Sequence, residues 1–177
     1  MNRTGLPLPS VWKANIRGVD LNSNYPALWE LQKRSEVEAG INSPAPRDYG
    51  GPRPLSEPES IALAEFTTNN DFSMVIAYHT QGRVIYYQFQ NMAPPESLDY
   101  VRLFALASGY AYSENPEEAS YAGYKDWFIQ DFGRPGFTIE VGLGRNPIPI
   151  AQFNTIYNNN EEIMLMAPLL EPVGPMI

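Results

Sequence analysis

Apolar residues gather in short, nearly unbroken runs separated by stretches rich in proline, glycine and asparagine. Ser73-Met74-Val75-Ile76-Ala77-Tyr78-His79 shows no apolar–polar alternation and ends in a polar residue. Such a run suits a strand covered on both faces, as in a mainly parallel sheet. Gln81-Gly82 breaks it, Arg83 to Phe89 reads as the next strand, and Gly136 to Val141 as another buried one. Helices are predicted between them. Ser56-Glu57-Pro58-Glu59 has a capping serine, a proline tolerated in the first turn and a glutamate three residues on, the pattern of a capping box. That helix should run to about Asn69 and bury Ile61, Leu63 and Phe66. Pro94-Pro95-Glu96-Ser97 opens a second helix, with Leu98, Val101, Phe104 and Ala105 inward and Gly109 as its stop. Tyr124 to Phe132 reads as a short helix, and helical turns from Ile150 to Leu170 close the chain. The residues before Gly51 show no sustained period beyond an aromatic stretch from Tyr25 to Leu31. Gly40 to Pro54 reads as a long ordered loop, and Ser113 to Ala122 as a polar surface loop. Strands alternating with helices predict an α/β layered fold.

Composition narrows the partners. Of 177 residues, 44% are hydrophobic and 18% charged, enough apolar material for one ordinary core. Lys plus Arg is 12 against 20 for Asp plus Glu, a net charge of −8, which argues against nucleic acid or an anionic membrane as the main partner. The lack of cysteine excludes a disulfide scaffold, a thiolate zinc cage and a cysteine nucleophile. The single histidine, His79, excludes any site that needs two from this chain. Met1 to Pro7 has no apolar stretch of signal-peptide length, and the longest apolar run, Ile163 to Leu170, is too short to span a membrane and contains Pro168. The expectation is a soluble chain, cytoplasmic by default, with its compartment otherwise open.

Two residues stand where an α/β sheet places ligands, at the carboxyl ends of strands: His79 and Glu140. A carboxylate on an apolar strand loses hydration, which tunes it towards general acid–base work. Each also has a plain structural reading: a hydrogen-bonding histidine at a strand end, and a glutamate paired with an arginine.

Their neighbours add a resemblance. Trp12-Lys13-Ala14-Asn15-Ile16-Arg17-Gly18-Val19-Asp20-Leu21-Asn22 resembles the Gly-Val-Asp-Leu-Asn segment of the zinc metallocarboxypeptidase family. Four more segments follow in the family's order. They are the helix start at Ser56 to Glu59 after the Gly51-Pro52 loop, and Ala77-Tyr78-His79-Thr80, similar to the zinc-ligand strand. Next come Gly123-Tyr124-Lys125-Asp126-Trp127, similar to the specificity-pocket segment, and Phe137-Thr138-Ile139-Glu140, similar to the catalytic strand. Each is weak alone; five in order over Trp12 to Val141 are specific. The first segment looks most like the bacterial branch that hydrolyses γ-D-glutamyl–diamino acid bonds in cell-wall peptides.

The resemblance implies roles residue by residue. His79 is the third zinc ligand, and Glu140 the general base and acid acting on a zinc-bound water. Lys13 lies near an arginine that polarises the scissile carbonyl, and Asn22 matches an asparagine that helps hold a substrate carboxylate. Lys125 falls at the specificity position, where a cation suits a D-glutamyl or diaminopimelyl group; its alternative is a solvated lysine. The family's mobile tyrosine, counted back without gaps, lands on Glu118, with Tyr121 close by. For the fold, the resemblance implies a three-layer α/β sandwich around a mixed, mainly parallel sheet. The chain is read as one partial peptidase domain carrying the C-terminal strands of an eight-stranded parent.

The departures are as informative. Ser23 follows Asn22 where carboxypeptidases carry an arginine clamp for a C-terminal carboxylate, and serine cannot replace a bidentate guanidinium. The family's first two zinc ligands come from a His-x-x-Glu motif, and none is present. A catalytic zinc needs three protein ligands. Two functions therefore follow: a zinc peptidase acting on peptidoglycan-type peptides with a companion segment that supplies His-x-x-Glu, or a catalytically inactive truncated or peptide-binding chain.

Overall fold

The computed structural model describes residues 12–114 and 121–170. The chain divides into two compact units, Met1–Phe72 with Glu118–Trp127, and Ser73–Glu117 with Phe128–Ile177.

The first unit is built on polar anchors. Helices α1 (Trp29–Glu38) and α2 (Pro58–Thr68) belong to it, with the first turn of α4 (Tyr124–Phe132). Helix α1 was not expected, because its sequence is polar almost throughout and what it buries is Glu36. That carboxylate accepts the Gly50 N–H at 2.8 Å and bonds to Lys33, whose ammonium also lies 4.2 Å from the centre of the Tyr49 ring. Asn24, fully buried, donates to Gly50 O, Arg53 O and Ser56 Oγ and accepts the Glu57 N–H. Buried polar groups must be paired, and these two residues pair with the backbone of the Gly40–Pro54 loop, which has neither helix nor strand, as expected.

Two expectations for α2 are corrected. Ser56 does not cap it: the cap residue is Glu57, without a side-chain bond to the helix, and the Ser56 hydroxyl donates to Glu57 Oε1 at 2.9 Å. The buried face is Ser60, Ala64 and Thr67, while Leu63 and Phe66 are exposed. Small residues win that face because the backbone must come close enough for Thr67 Oγ to meet the Tyr124 hydroxyl at 2.9 Å. Tyr25 packs on Tyr124 and Trp127, with ring centres 5.4 and 5.7 Å away.

The second unit holds a four-stranded mixed sheet in the order β1-β4-β2-β3, with β1 Val75–His79, β2 Val84–Tyr86, β3 Ala111–Ser113 and β4 Gly136–Glu140. The β1–β4 and β2–β3 ladders are parallel, and β2–β4 is antiparallel. Helix α3 (Glu96–Ser108) stops at Gly109, which adopts φ 69° as expected of a terminating glycine. Helix α5 (Phe153–Met166) lies between short 3-10 turns at Ile150–Gln152 and Ala167–Leu169. Ile85, Phe137 and Ile139 on one face of the sheet share a core with Val101 and Phe104 of α3 and Ile163 of α5. Phe104 and Phe137 meet edge to face at 5.0 Å. The strand expected over Arg83–Phe89 is shorter, and β3 was not expected, its last residue Ser113 being the first of the expected loop. The apolar β1 is not covered as expected: it lies at the edge of the described sheet, with Tyr78 42% exposed. An unbroken apolar run cannot distinguish a central strand from such an edge.

Candidate functional site

His79 and Glu140 are the last residues of adjacent parallel strands and direct register partners. Alternation puts them on one face. Ile76 and Tyr78 pair with Phe137 and Ile139 on the core side, so Ala77, His79, Thr138 and Glu140 point to the other. Strands in a sheet stand about 4.8 Å apart, so the imidazole and carboxylate leave the backbone as close neighbours. Both are half-buried. The ladder continues one step past them, the Val141 N–H donating to His79 O at 2.8 Å, and Val84 of β2 flanks Glu140 on its other side. An imidazole beside a carboxylate at the carboxyl ends of strands is a competent acid–base pair.

The remaining candidates lie in the first unit. Asn22 sits in a 3-10 turn, Leu21–Ser23, capped by the buried Asp20, whose carboxylate accepts the Asn22 N–H at 3.2 Å and the Asp48 N–H at 3.0 Å. The same carboxylate binds the Lys13 ammonium at 3.1 Å. Lys13 thus neutralises a buried acid while its own side chain stays 43% exposed. The turn abuts the segment that begins at Ala122. Tyr25 donates its N–H to Ala122 O at 3.0 Å, and a Cβ on Gly123 would come within 3.5 Å of Asn22 Oδ1. Lys125 is on this segment, and the solvated reading fails: it is 6% exposed, with its ammonium 2.6 Å from Asp126 Oδ1. Tyr121 is half-buried. Glu118 lies outside the described residues.

Asp20 and Asn24 were missed as anchors of the Asn22 turn. The only signal for them was an acid and an amide flanking Leu21-Asn22-Ser23 within an otherwise irregular stretch. Ser23 is itself buried, so the position after Asn22 offers no side chain for clamping a carboxylate.

Among the described residues the donors do not make a zinc centre. His79 is the chain's one histidine, and among the described residues no three His, Cys, Asp or Glu side chains gather to hold a metal ion. Nor is any described helix long and apolar enough to cross a membrane.

The profile of the zinc carboxypeptidases, Peptidase_M14, matches residues 3–164. γ-D-Glutamyl-L-diamino acid endopeptidase 1 of Lysinibacillus sphaericus is 53% identical over 156 residues, 88% of this chain and 38% of that protein. Human carboxypeptidase A5 is 34% identical over 129 residues, 72% of this chain and 26% of its own length. The chain thus spans well under half of these relatives. Among solved structures, the murein-tripeptide amidase MpaA of Escherichia coli O157 superposes with a TM-score of 0.57 at 22% identity, over 91% of this chain and 62% of that one. The carboxypeptidase A of Helicoverpa armigera gives 0.62 at 20% identity, over 85% and 41%. These likenesses speak for the fold, and the profile and sequence identity for descent: the chain belongs to the zinc carboxypeptidase family and carries part of its α/β domain.

Proposed function

We propose that this chain is the substrate-binding and acid–base part of a peptidase that cleaves γ-D-glutamyl–diamino acid bonds of cell-wall peptides. The observation that carries this reading is the register pairing of His79 with Glu140 at the carboxyl ends of β1 and β4. The substrate class is supported by 53% identity to a relative named for that bond. In this reading Glu140 takes a proton from the attacking water and returns it to the leaving amine, and His79 would be one ligand of a zinc ion that polarises the scissile carbonyl. Two further ligands come from a companion segment bearing His-x-x-Glu. Asn22, Lys125 and Tyr121 contact the substrate, and Lys13, paired with Asp20 but still partly exposed, polarises the scissile carbonyl. That no three-donor cluster occurs among the described residues favours a second reading, a chain that binds such peptides without cleaving them.

Zinc content and hydrolysis of an L-alanyl-γ-D-glutamyl-diaminopimelate peptide, measured together, separate the two. The chain alone should hold well under one zinc ion and release no diaminopimelate. Mixed with a polypeptide carrying the His-x-x-Glu part of the domain, it should hold one zinc per complex and cleave. Glu140→Gln should then keep the metal and lose about 100- to 10,000-fold in rate, the usual scale of a general base. A zinc-loaded complex that leaves the peptide intact would overturn the peptidase reading in favour of the binding one.

A further inference from the structure

The segment after β4 is pinned to the turn that follows His79. Gly82 donates its N–H to Gly142 O at 3.0 Å, and Asn146 Nδ2 donates to Thr80 O at 3.0 Å. The Gln152 carboxamide closes the far end, accepting the Leu143 N–H at 3.0 Å and donating to Leu143 O at 2.8 Å. Gly142 adopts φ 76°, and a Cβ there would stand 2.6 Å from Ile148 Cδ1, so the loop folds tightly on itself. Residues 142–149 are therefore an ordered hook beside the His79–Glu140 row.

Arg145, next to the tethered Asn146, is exposed. Three other arginines belong to this unit. Arg83 lies over the Tyr110 ring at 5.3 Å, Arg102 pairs with Asp99 at 3.4 Å, and Arg134 has contacts of its own. Of the four arginines of this unit, Arg145 is the one without a partner among the described residues. The chain has 20 acids against 12 bases, so an unpaired guanidinium does not reflect a shortage of carboxylates. A planar five-donor fork held on a fixed loop is suited to bind a carboxylate at small cost in conformational entropy.

We propose that Arg145 binds a carboxylate of the substrate beside the His79–Glu140 row. The inference rests on the peptide-substrate reading above. A γ-D-glutamyl-diaminopimelate dipeptide offers that chemistry three times: the free α-carboxylate of the D-glutamyl residue, left over because the chain runs through its γ-carboxyl, and the two carboxylates of the diamino acid. Each is a bidentate acceptor.

The test is binding of γ-D-glutamyl-diaminopimelate to the full 177-residue chain at low salt, by isothermal titration calorimetry, with folding checked by circular dichroism. Arg145→Ala should weaken binding about 10- to 100-fold, the scale of a charge-assisted hydrogen bond, and Arg145→Lys should recover part of the loss. Arg145→Gln serves if the alanine variant does not fold. Three analogues identify the carboxylate: amidation of the one that Arg145 binds, whether the D-glutamyl α-carboxylate or one of the two diaminopimelyl carboxylates, should weaken wild-type binding and leave the Arg145→Ala value unchanged. Equal affinity of folded wild type and Arg145→Ala overturns this inference alone. Failure of the folded wild type to bind the dipeptide overturns the substrate reading and the inference with it.

Discussion

Truncating Glu36 should unfold the first unit at markedly lower denaturant. Its side chain is 1% exposed and accepts the buried Gly50 N–H at 2.8 Å, the Gln32 amide at 3.3 Å and the Lys33 ammonium. In Glu36→Ala the Gly50 N–H has no acceptor, a loss of about 1–3 kcal/mol for a buried unsatisfied donor. Lys33 also loses its counter-ion. Its side chain is 24% exposed and keeps Gly51 O at 3.2 Å and the faces of Trp29 and Tyr49, so that part is about 1 kcal/mol, well below the usual cost of stranding a buried charge. The sum is about 3 kcal/mol. Glu36→Gln retains an oxygen for Gly50 and gives up only the charge, which should cost about 1 kcal/mol. Urea denaturation followed by tryptophan fluorescence reads this directly, because Trp12, Trp29 and Trp127 all belong to the first unit. A Glu36→Ala variant within 1 kcal/mol of wild type, or one no worse than Glu36→Gln, would refute the account in which Gly50 is the group left unpaired.

Gly50→Ala would drive a Cβ into the Ser23 carbonyl and to 2.8 Å from Glu36 Oε1; since backbone must move, a loss of about 2–3 kcal/mol is expected in the same assay. Lys125→Met leaves Asp126 a buried carboxylate without its cation and should cost about 3 kcal/mol, while the double variant Lys125→Met with Asp126→Asn should cost less than the sum of the singles. Burial, with Tyr124 and Tyr110 respectively adding to it, pushes Tyr25 and Tyr78 up to about 12 from 10.0. Both are favoured neutral in the fold, so their contribution to stability is complete below pH 10 and is lost between pH 10 and 12. Melting temperatures should fall across that window, and spectrophotometric titration of the folded chain should show late-ionising tyrosines; a melting temperature flat from pH 9 to 11.5 would contradict this.

What the sequence determined by itself is what short-range physics decides. Val101 and Phe104 face inward on α3 and Gly109 ends it, because apolar spacing and a glycine's access to positive φ are local properties. Helix α4 spans Tyr124–Phe132 and β4 runs Gly136–Glu140 for the same reason. The order of the five segments identified the family before any contact was known. Helix α1 was beyond such reading, since what it buries is Glu36, and a glutamate becomes a core residue only when a distant Gly50 N–H and a neighbouring lysine are brought to it. Ser56 reads as a cap until Asn24 and Glu57 claim its hydroxyl. The partner of Lys13 is not legible until Asp20 is found beneath it, and Lys125 reads as solvated until Asp126 proves to be its buried partner. The pairing of His79 with Glu140 likewise needed the strand order, in which β4 leaves its sequence neighbours to lie against β1. Polar side chains carry many possible partners in sequence, and only the tertiary fold, by excluding water from most of them, chooses which one each must take.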